Sequence, residues 1–206
     1  MFWQNMGDFL CVRVERYKKS TVVKEDDKES SATPGTRHYS GIYYNFEFFR
    51  IREKEIPVDS VEIKEACHAF AWEPNGQKFA IIYGDSTSRT TAAFYRIINA
   101  VGSTAGKVEL IKELKSRSCL QISWSPAGQY CVLATSSSKQ QAAGCSVEFV
   151  DVQTNDVVSL NKIEHDHMTD FEWDPTGRYF VTYVSYWNHR VSLFFFIEQN
   201  IRTVFN

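Results

Sequence analysis

The sequence lacks the features that mark several common classes of protein. Its five cysteines include no C-x-x-C pair, and an odd number without a framework spacing predicts reduced, packed thiols rather than disulfides or metal ligands. No apolar run approaches the roughly 18 residues of a membrane-spanning helix, since no run exceeds five residues, the length of Leu193 to Ile197. No basic segment followed by an apolar one opens the chain, so no signal peptide is predicted. We therefore expect a cytoplasmic protein without a membrane contact.

An excess of charge of one sign is also missing. The formal net charge is −2 at pH 7, so the chain has no overall basic field of the kind that drives non-specific binding to nucleic acids. A contact with RNA would have to come from a local basic patch.

Catalytic signatures are absent too. The chain has no G-x-S-x-G elbow, no P-loop and no dinucleotide-binding fingerprint. The densest polar cluster is His165-Asp166-His167, which together with Asp170 could bind a metal, although no further ligand follows at a regular spacing. A histidine just before the first strand of a β-sheet is also commonly a structural hydrogen-bonder, and we favour this interpretation. We predict no catalytic residue, no metal and no cofactor.

What the sequence does contain is a repeated corner. Aromatic residues make up 15% of the chain, which favours packed β-sheets. Three segments share the pattern apolar-x-Trp-x-Pro-x-Gly, and their tryptophans recur at a spacing of about 50 residues, the period of a four-stranded propeller blade. The repeated residues are Trp72, Pro74 and Gly76, then Trp124, Pro126 and Gly128, and then Trp173, Asp174, Pro175 and Gly177.

The pattern has a physical reason. In Asp174-Pro175-Thr176-Gly177, Asp suits the first place of a type I turn, Pro presets φ at the second, and Gly suits the fourth. Each turn lies between two apolar segments, which predicts a hairpin. We therefore interpret Asp174 and Glu73 as turn residues rather than an acid–base pair. The three tryptophans are interpreted as core anchors rather than platforms for stacking bases.

These observations predict an all-β fold, a partial WD-repeat-type β-propeller built from four-stranded antiparallel blades. An open arc of blades would leave two apolar faces bare, so we expect the chain to be a segment of a larger protein, or an incomplete gene product. The predicted units are an incomplete three-stranded blade at 1–64 with a disordered insertion at 18–40, blades at 65–115 and 116–164, and an incomplete blade with an atypical end at 165–206.

Several long segments carry a family resemblance. They are Gly7 to Val12, Asn45 to Asp59, Phe70 to Gly76, Lys107 to Lys112 and Glu172 to Tyr179. In this order they resemble the B subunit of eukaryotic translation initiation factor 3, over roughly residues 1 to 190. A single Trp-x-Pro-x-Gly turn occurs in many WD-repeat proteins, whereas the succession of these segments is far more specific.

The resemblance implies a non-catalytic scaffold. Members of that family bind the A, G and I subunits of the factor, contact the small ribosomal subunit and help to assemble the pre-initiation complex on messenger RNA. Their RNA-recognition-type domain and helical tail are not recognisable in this sequence, and the apolar stretch from Val191 departs from the family's continuation.

Surface cations are the residues that would touch the phosphate backbone of ribosomal or messenger RNA. The candidates are Lys18 and Lys19 in the insertion and Arg50, Arg52 and Lys54 beside a strand end. The alternative for each of them is an ordinary solvated face.

Two other functions stay open at this point. A generic WD-repeat adaptor would bind peptides or proteins on a propeller face. A propeller hydrolase is disfavoured, because no arrangement of a nucleophile and a base is visible.

Overall fold

The computed structural model describes residues 1–19, 39–99, 101, 106–136, 144–154, 156–184 and 199–200. Within these residues the regular structure is β-strand throughout. The strands are β1 (Phe2–Trp3), β2 (Phe9–Lys19), β3 (Tyr39–Arg50), β4 (Val58–Ile63), β5 (Cys67–Trp72), β6 (Lys78–Ser86), β7 (Arg89–Ile98), β8 (Lys107–Arg117), β9 (Gln121–Trp124), β10 (Tyr130–Thr135), β11 (Ser146–Asp151), β12 (Val158–Glu164), β13 (Asp170–Trp173), β14 (Tyr179–Tyr183) and β15 (Gln199–Asn200).

The strands form antiparallel sheets in chain order. The first sheet is β1–β4, the second β5–β8 and the third β9–β12, each four-stranded, and the fourth sheet is β13–β15. Within each sheet, every strand pairs with its neighbour in sequence, as expected where short turns join antiparallel strands. The prediction of an all-β, partial propeller with four-stranded antiparallel blades is confirmed.

The first sheet has one strand more than the sequence predicted. Residues 1–64 were expected to hold three strands, but β1 pairs with β2 through Phe2 opposite Cys11 and Trp3 opposite Leu10. A two-residue strand is too short to show the alternation of polar and apolar residues by which strands are recognised. The first unit is therefore a four-stranded blade in the structure.

The predicted insertion at 18–40 is shorter at both ends. Lys18 and Lys19 belong to β2, and Tyr39 and Ser40 belong to β3, because the β2–β3 hairpin continues past the polar boundary of the sequence. The predicted disorder at 20–38 lies outside the described residues. Of the atypical end, only Gln199 and Asn200 are described, and they pair with Phe180 and Tyr179.

The core consists of apolar layers between consecutive sheets. Because side chains alternate along a strand, Phe79 and Ile81 of β6 pack toward the first sheet, whereas Ala80 and Ile82 pack toward the third. A third layer lies between the third and fourth sheets, and it includes Phe149 of β11 and Phe180 of β14. A strand covered on both faces needs apolar residues at successive positions, which explains the unbroken apolar run in β6.

Candidate functional site

The same corner recurs at the start of each sheet. The backbone N–H of its first residue donates to the carbonyl oxygen of the residue five places later, over 2.8 to 3.0 Å. These pairs are Gln4 with Phe9, Glu73 with Lys78, Ser125 with Tyr130, and Asp174 with Tyr179. The corner begins the second strand of each hairpin and so sets the hairpin's register.

The first side chain of the corner also closes the turn. Glu73 Oε2 accepts a hydrogen bond from the N–H of Lys78 at 3.1 Å, and Ser125 Oγ accepts one from Tyr130 at 3.0 Å. Asp174 Oδ1 accepts the corresponding bond at 2.7 Å. Hydrogen bonds from Thr176 and from backbone N–H groups hold the pKa of Asp174 below its usual range. Glu, Ser and Asp therefore share one role at this position, which is to accept a backbone hydrogen bond.

A fourth corner, Gln4 to Phe9, escaped sequence analysis. Asn5 stands where the other corners have proline, so the pattern apolar-x-Trp-x-Pro-x-Gly does not match there. The signal that could have found it is the spacing from Trp3 to Gly7, which equals that from Trp124 to Gly128. Gly7 has φ +74° and Gly128 has φ +75°, a left-handed conformation that favours glycine.

The tryptophans of the corners bond one sheet to the next. Trp72 Nε1 donates to the carbonyl oxygen of Phe2 at 3.0 Å, and Trp124 Nε1 donates to that of Ala71 at 3.2 Å. Trp173 Nε1 donates to that of Ser123 at 3.4 Å. In each case the acceptor is the residue directly before the tryptophan of the preceding sheet. The indole groups thus form a repeated inter-sheet bond at the first strand of each sheet.

Trp3 occupies the same place in the first sheet but has no sheet before it among the described residues. Its side chain is 61% exposed, whereas Trp124 is 7% exposed. The difference in burial follows from the missing neighbour, because the local turn is the same.

Neighbouring corners also contact each other directly. Gln4 Nε2 donates to the carbonyl oxygen of Gly76 at 2.9 Å, and Asn75 Nδ2 donates to that of Pro126 at 3.0 Å. A Cβ atom on Gly128 would lie 2.8 Å from Glu73 Oε1, closer than normal contact. The corners therefore form a continuous row of contacts from the first sheet to the third.

His165 acts within the fourth sheet. It lies in the link before β13, it is buried, and its Nδ1 is 2.9 Å from Thr182 Oγ1. Burial lowers the pKa of this imidazole, with an opposing effect from Asp166. Among the described residues, no three His, Cys, Asp or Glu side chains cluster in a way that could hold a metal ion.

The cysteines are free thiols, and four of the five are buried. Burial raises the pKa of Cys119 to about 11. A buried thiol of raised pKa is a poor nucleophile, because the thiolate is the reactive form.

Arg50 is not the surface cation that the sequence suggested. Its side chain is 5% exposed, its Nε lies 3.1 Å from Glu53 Oε1, and its Nη1 pairs with Asp59 Oδ2. The alternation of β3 turns Arg50 inward, and a charge in that position needs carboxylate partners. Arg50 is therefore unavailable to an RNA phosphate.

Arg52 and Lys54 lie on the turn between β3 and β4. Arg52 has a 72% exposed side chain that pairs with Asp8 at 3.1 Å, and Lys54 is exposed. Lys18 and Lys19 lie in β2 on another part of the first sheet, and their side chains are not described. The structure therefore brings together only two of the five predicted cations as accessible groups.

This β3–β4 turn has an unusual backbone. Glu55 has φ 67° and Ile56 has φ 47°, left-handed values that are uncommon for residues other than glycine. The Ile56 N–H donates to the Glu53 carbonyl oxygen at 3.2 Å, and the Arg50 N–H donates to that of Pro57 at 3.1 Å. Such strain, of the order of 1–3 kcal/mol per residue, persists only where surrounding contacts hold it. The turn therefore presents Arg52 and Lys54 on a fixed backbone.

In the described part of the chain, no helix is long and apolar enough to cross a membrane.

Comparisons with known proteins give a consistent result. The family model described as eukaryotic translation initiation factor eIF2A matches residues 1–198. Proteins of Drosophila sechellia and Drosophila ananassae, both named as the B subunit of eukaryotic translation initiation factor 3, are 44% and 45% identical over 187 residues, which is 91% of this chain. The chain spans 24% of the length of these relatives.

A solved structure agrees on the fold. It is described as a crystal structure of the eukaryotic initiation factor, with a TM-score of 0.59 and 17% identity. The match covers 97% of this chain and 42% of the solved one.

Proposed function

Since the chain belongs to the eukaryotic translation initiation factor eIF2A family and its relatives are named as the B subunit of translation initiation factor 3, we propose that it is a non-catalytic scaffold segment of that complex. In this role it supports binding of the small ribosomal subunit and assembly of the pre-initiation complex in the cytoplasm. Its partners are the A, G and I subunits of the factor and the phosphate backbone of ribosomal or messenger RNA.

The repeated inter-sheet bond is the observation that carries this proposal. Three indole N–H groups and the corner contacts join successive sheets at their first strands and corners. An array tied in this way keeps the spacing between surface groups on different sheets constant, which is what a scaffold requires. The exposed ends of the array and its turns are then free to bind other subunits.

The β3–β4 turn holds the two predicted cations that the structure describes as exposed, and we assign the contact with RNA to it. Arg52 and Lys54 extend from a backbone held by turn hydrogen bonds, so little backbone flexibility is lost on binding. Contacts of this kind are electrostatic and carry no sequence information. The turn therefore positions the factor on the ribosome without selecting a sequence.

Reversal of both charges tests this role. In the full-length factor subunit that contains this segment, the Arg52→Glu and Lys54→Glu double variant should reduce co-sedimentation with small ribosomal subunits about tenfold. The slope of log K against log salt should fall by about two, because two phosphate contacts are lost. Co-purification with the A, G and I subunits should not change.

A matched control carries the same change of charge elsewhere. Lys64 and Lys107 are exposed lysines outside the turn, and a Lys64→Glu and Lys107→Glu double variant should bind ribosomal subunits within twofold of the wild type. Equal losses in both double variants would show that only overall charge matters and would remove the turn from the proposal. Absence of both ribosomal co-sedimentation and subunit co-purification in the wild type would contradict the scaffold role itself and favour the generic adaptor.

A further inference from the structure

A polar cleft lies between the second and third sheets, at the end of the third sheet away from its corner. Its volume is about 270 Å³. The residues that line it include Ser116, Arg117, Ser118, Ser146, Glu148 and Lys162. They come from the end of β8, from the β8–β9 link and from β11 and β12, so the cleft belongs to the junction of two sheets and is separate from the β3–β4 turn.

Glu148 is a buried carboxylate in a place where the second sheet has alanine. In the third sheet, Trp124 pairs with Cys131 and Cys131 pairs with Val150. In the second sheet, the equivalent residues are Trp72, Phe79 and Tyr95. Glu148 lies two residues before Val150, and Ala93 lies two residues before Tyr95, so the two positions correspond. Ala93 is fully buried, and Glu148 is 7% exposed. A buried charge at a position that accepts alanine is costly, so the packing of the sheets does not by itself call for it.

Arg117 and Ser159 satisfy the Glu148 carboxylate. Arg117 Nε lies 3.1 Å from Oε1 and 3.0 Å from Oε2, and Ser159 Oγ donates to Oε1 at 2.6 Å. The pair joins the second sheet to the third. With Arg117 engaged in this way, the charge of Glu148 is compensated without Lys162.

Lys162 adds a second positive charge at the cleft, two residues from Glu164 on the same strand. It is the cross-strand neighbour of Glu148, it is exposed, and it has no ion pair among the described residues. Ser146 is only 7% exposed. Its hydroxyl has no hydrogen-bond partner in the described part of the chain. The hydroxyls of Ser118, which is half-buried, and of Ser116, which is exposed, likewise have no hydrogen-bond partner among the described residues. The cleft thus holds a free cation and several free hydroxyl donors around a small volume.

We propose that this cleft binds a carboxylate side chain from an acidic segment of a partner protein. Lys162 pairs with the carboxylate, and the serine hydroxyls donate hydrogen bonds to it. The volume is below the roughly 300–1,000 Å³ of sites for drug-sized ligands, so it suits one acidic side chain with its flanking backbone.

The same charges disfavour a nucleic acid. Glu148 forms part of the wall, and Glu164 is the cross-strand neighbour of Ser146. These carboxylates would lie close to successive phosphates of a polyanion and repel them, whereas a single carboxylate can enter beside Lys162.

Fluorescence anisotropy with the full chain tests the proposal. The probe is a fluorescein-labelled Gly-Gly-Glu-Gly-Gly peptide with an amidated C-terminus, compared with Gly-Gly-Gln-Gly-Gly and with a labelled uridine oligonucleotide. The wild type should prefer the acidic peptide to the amide peptide at least about tenfold, since the charged form alone can pair with Lys162. Lys162→Met should remove this preference.

Two further variants make the result specific. Lys64→Met removes the same charge from the link between the first and second sheets, and it should leave the affinity within twofold of the wild type. Glu148→Gln keeps hydrogen-bonding atoms while removing the negative charge of the wall, so it should tighten binding of the acidic peptide about threefold or more. Thermal unfolding of each variant shows that it is folded.

Several outcomes would overturn the proposal. They are equal affinity for the acidic and amide peptides, an equal loss in Lys64→Met and Lys162→Met, tighter binding of the oligonucleotide than of the acidic peptide, or no binding of the acidic peptide by the wild type at millimolar protein.

Discussion

Replacement of Trp124 by alanine should lower the free energy of unfolding by about 3–5 kcal/mol, the usual cost of removing a large aromatic side chain from a core. Trp124 is 7% exposed, and its ring lies edge-on to that of Phe94 with the ring centroids 6.2 Å apart. Its indole N–H donates a hydrogen bond to the carbonyl oxygen of Ala71 in the preceding sheet. The variant would lose packing and the inter-sheet bond together. Urea denaturation of the full chain, followed by circular dichroism, measures the change.

Two variants separate the contributions. Trp124→Phe keeps an aromatic ring but removes the indole N–H, so it should cost less than the alanine variant, with about 0.5–1.5 kcal/mol of the loss due to the hydrogen bond. Trp3→Ala changes the equivalent residue in the first sheet, where the side chain is 61% exposed, and should cost less than about 0.5 kcal/mol. Similar losses in Trp3→Ala and Trp124→Ala would contradict the account of inter-sheet bonding.

Replacement of Phe79 by alanine should be about as damaging, at roughly 3–5 kcal/mol. Phe79 is fully buried at the centre of the layer between the first two sheets. The centroid of its ring lies 4.4 Å from that of Phe48, 5.1 Å from that of Tyr95 and 5.3 Å from that of Trp72. A cavity at this point would remove contacts from both sheets at once. The midpoint and slope of the urea transition report the loss.

Leu110→Ala is the control for Phe79→Ala, because Leu110 lies on β8 with 46% exposure. Its loss should be below about 1 kcal/mol, since little apolar surface is buried there. Phe79→Leu should fall between the two. If Phe79→Ala cost no more than Leu110→Ala, the aromatic layer would not hold the first and second sheets together.

The architecture could be predicted from the sequence because its signal is repeated. Each Trp-x-Pro-x-Gly corner contains residues with narrow conformational preferences. Three copies at one spacing are compatible with few folds other than a propeller. The first corner was missed because Asn5 takes the place of proline, although Trp3 and Gly7 keep the spacing. A repeat search that did not require proline would have found it.

The candidate contact residues were harder to predict, because exposure depends on packing that the sequence does not state. Arg50 and Arg52 are two residues apart in a polar segment, yet one is buried with two carboxylates and the other is 72% exposed. The carboxylate that pairs with Arg50 Nη1 comes from Asp59, on the next strand. The left-handed backbone at Glu55 and Ile56 likewise has no signal in residue type.

The cleft at Glu148 illustrates the same limit. Nothing in the local sequence distinguishes Glu148 from an ordinary solvent-facing residue of an alternating strand. Its burial follows from the approach of the second sheet, which brings Arg117 to the carboxylate. Sites that form between repeats depend on how the repeats pack, so the repeat pattern alone does not reveal them.

Equivalent corners bond successive sheets through their indole groups, and hydrogen exchange of the tryptophan side chains measures this bonding. In ¹H–¹⁵N spectra, with signals assigned by single Trp→Phe variants, the indole protons of Trp72 and Trp124 should exchange slowly, Trp173 at an intermediate rate, and Trp3 rapidly. This order follows the acceptor distances of 3.0, 3.2 and 3.4 Å and the exposure of Trp3. Rapid exchange of all four indole protons, or equal protection of Trp3 and Trp124, would contradict the account.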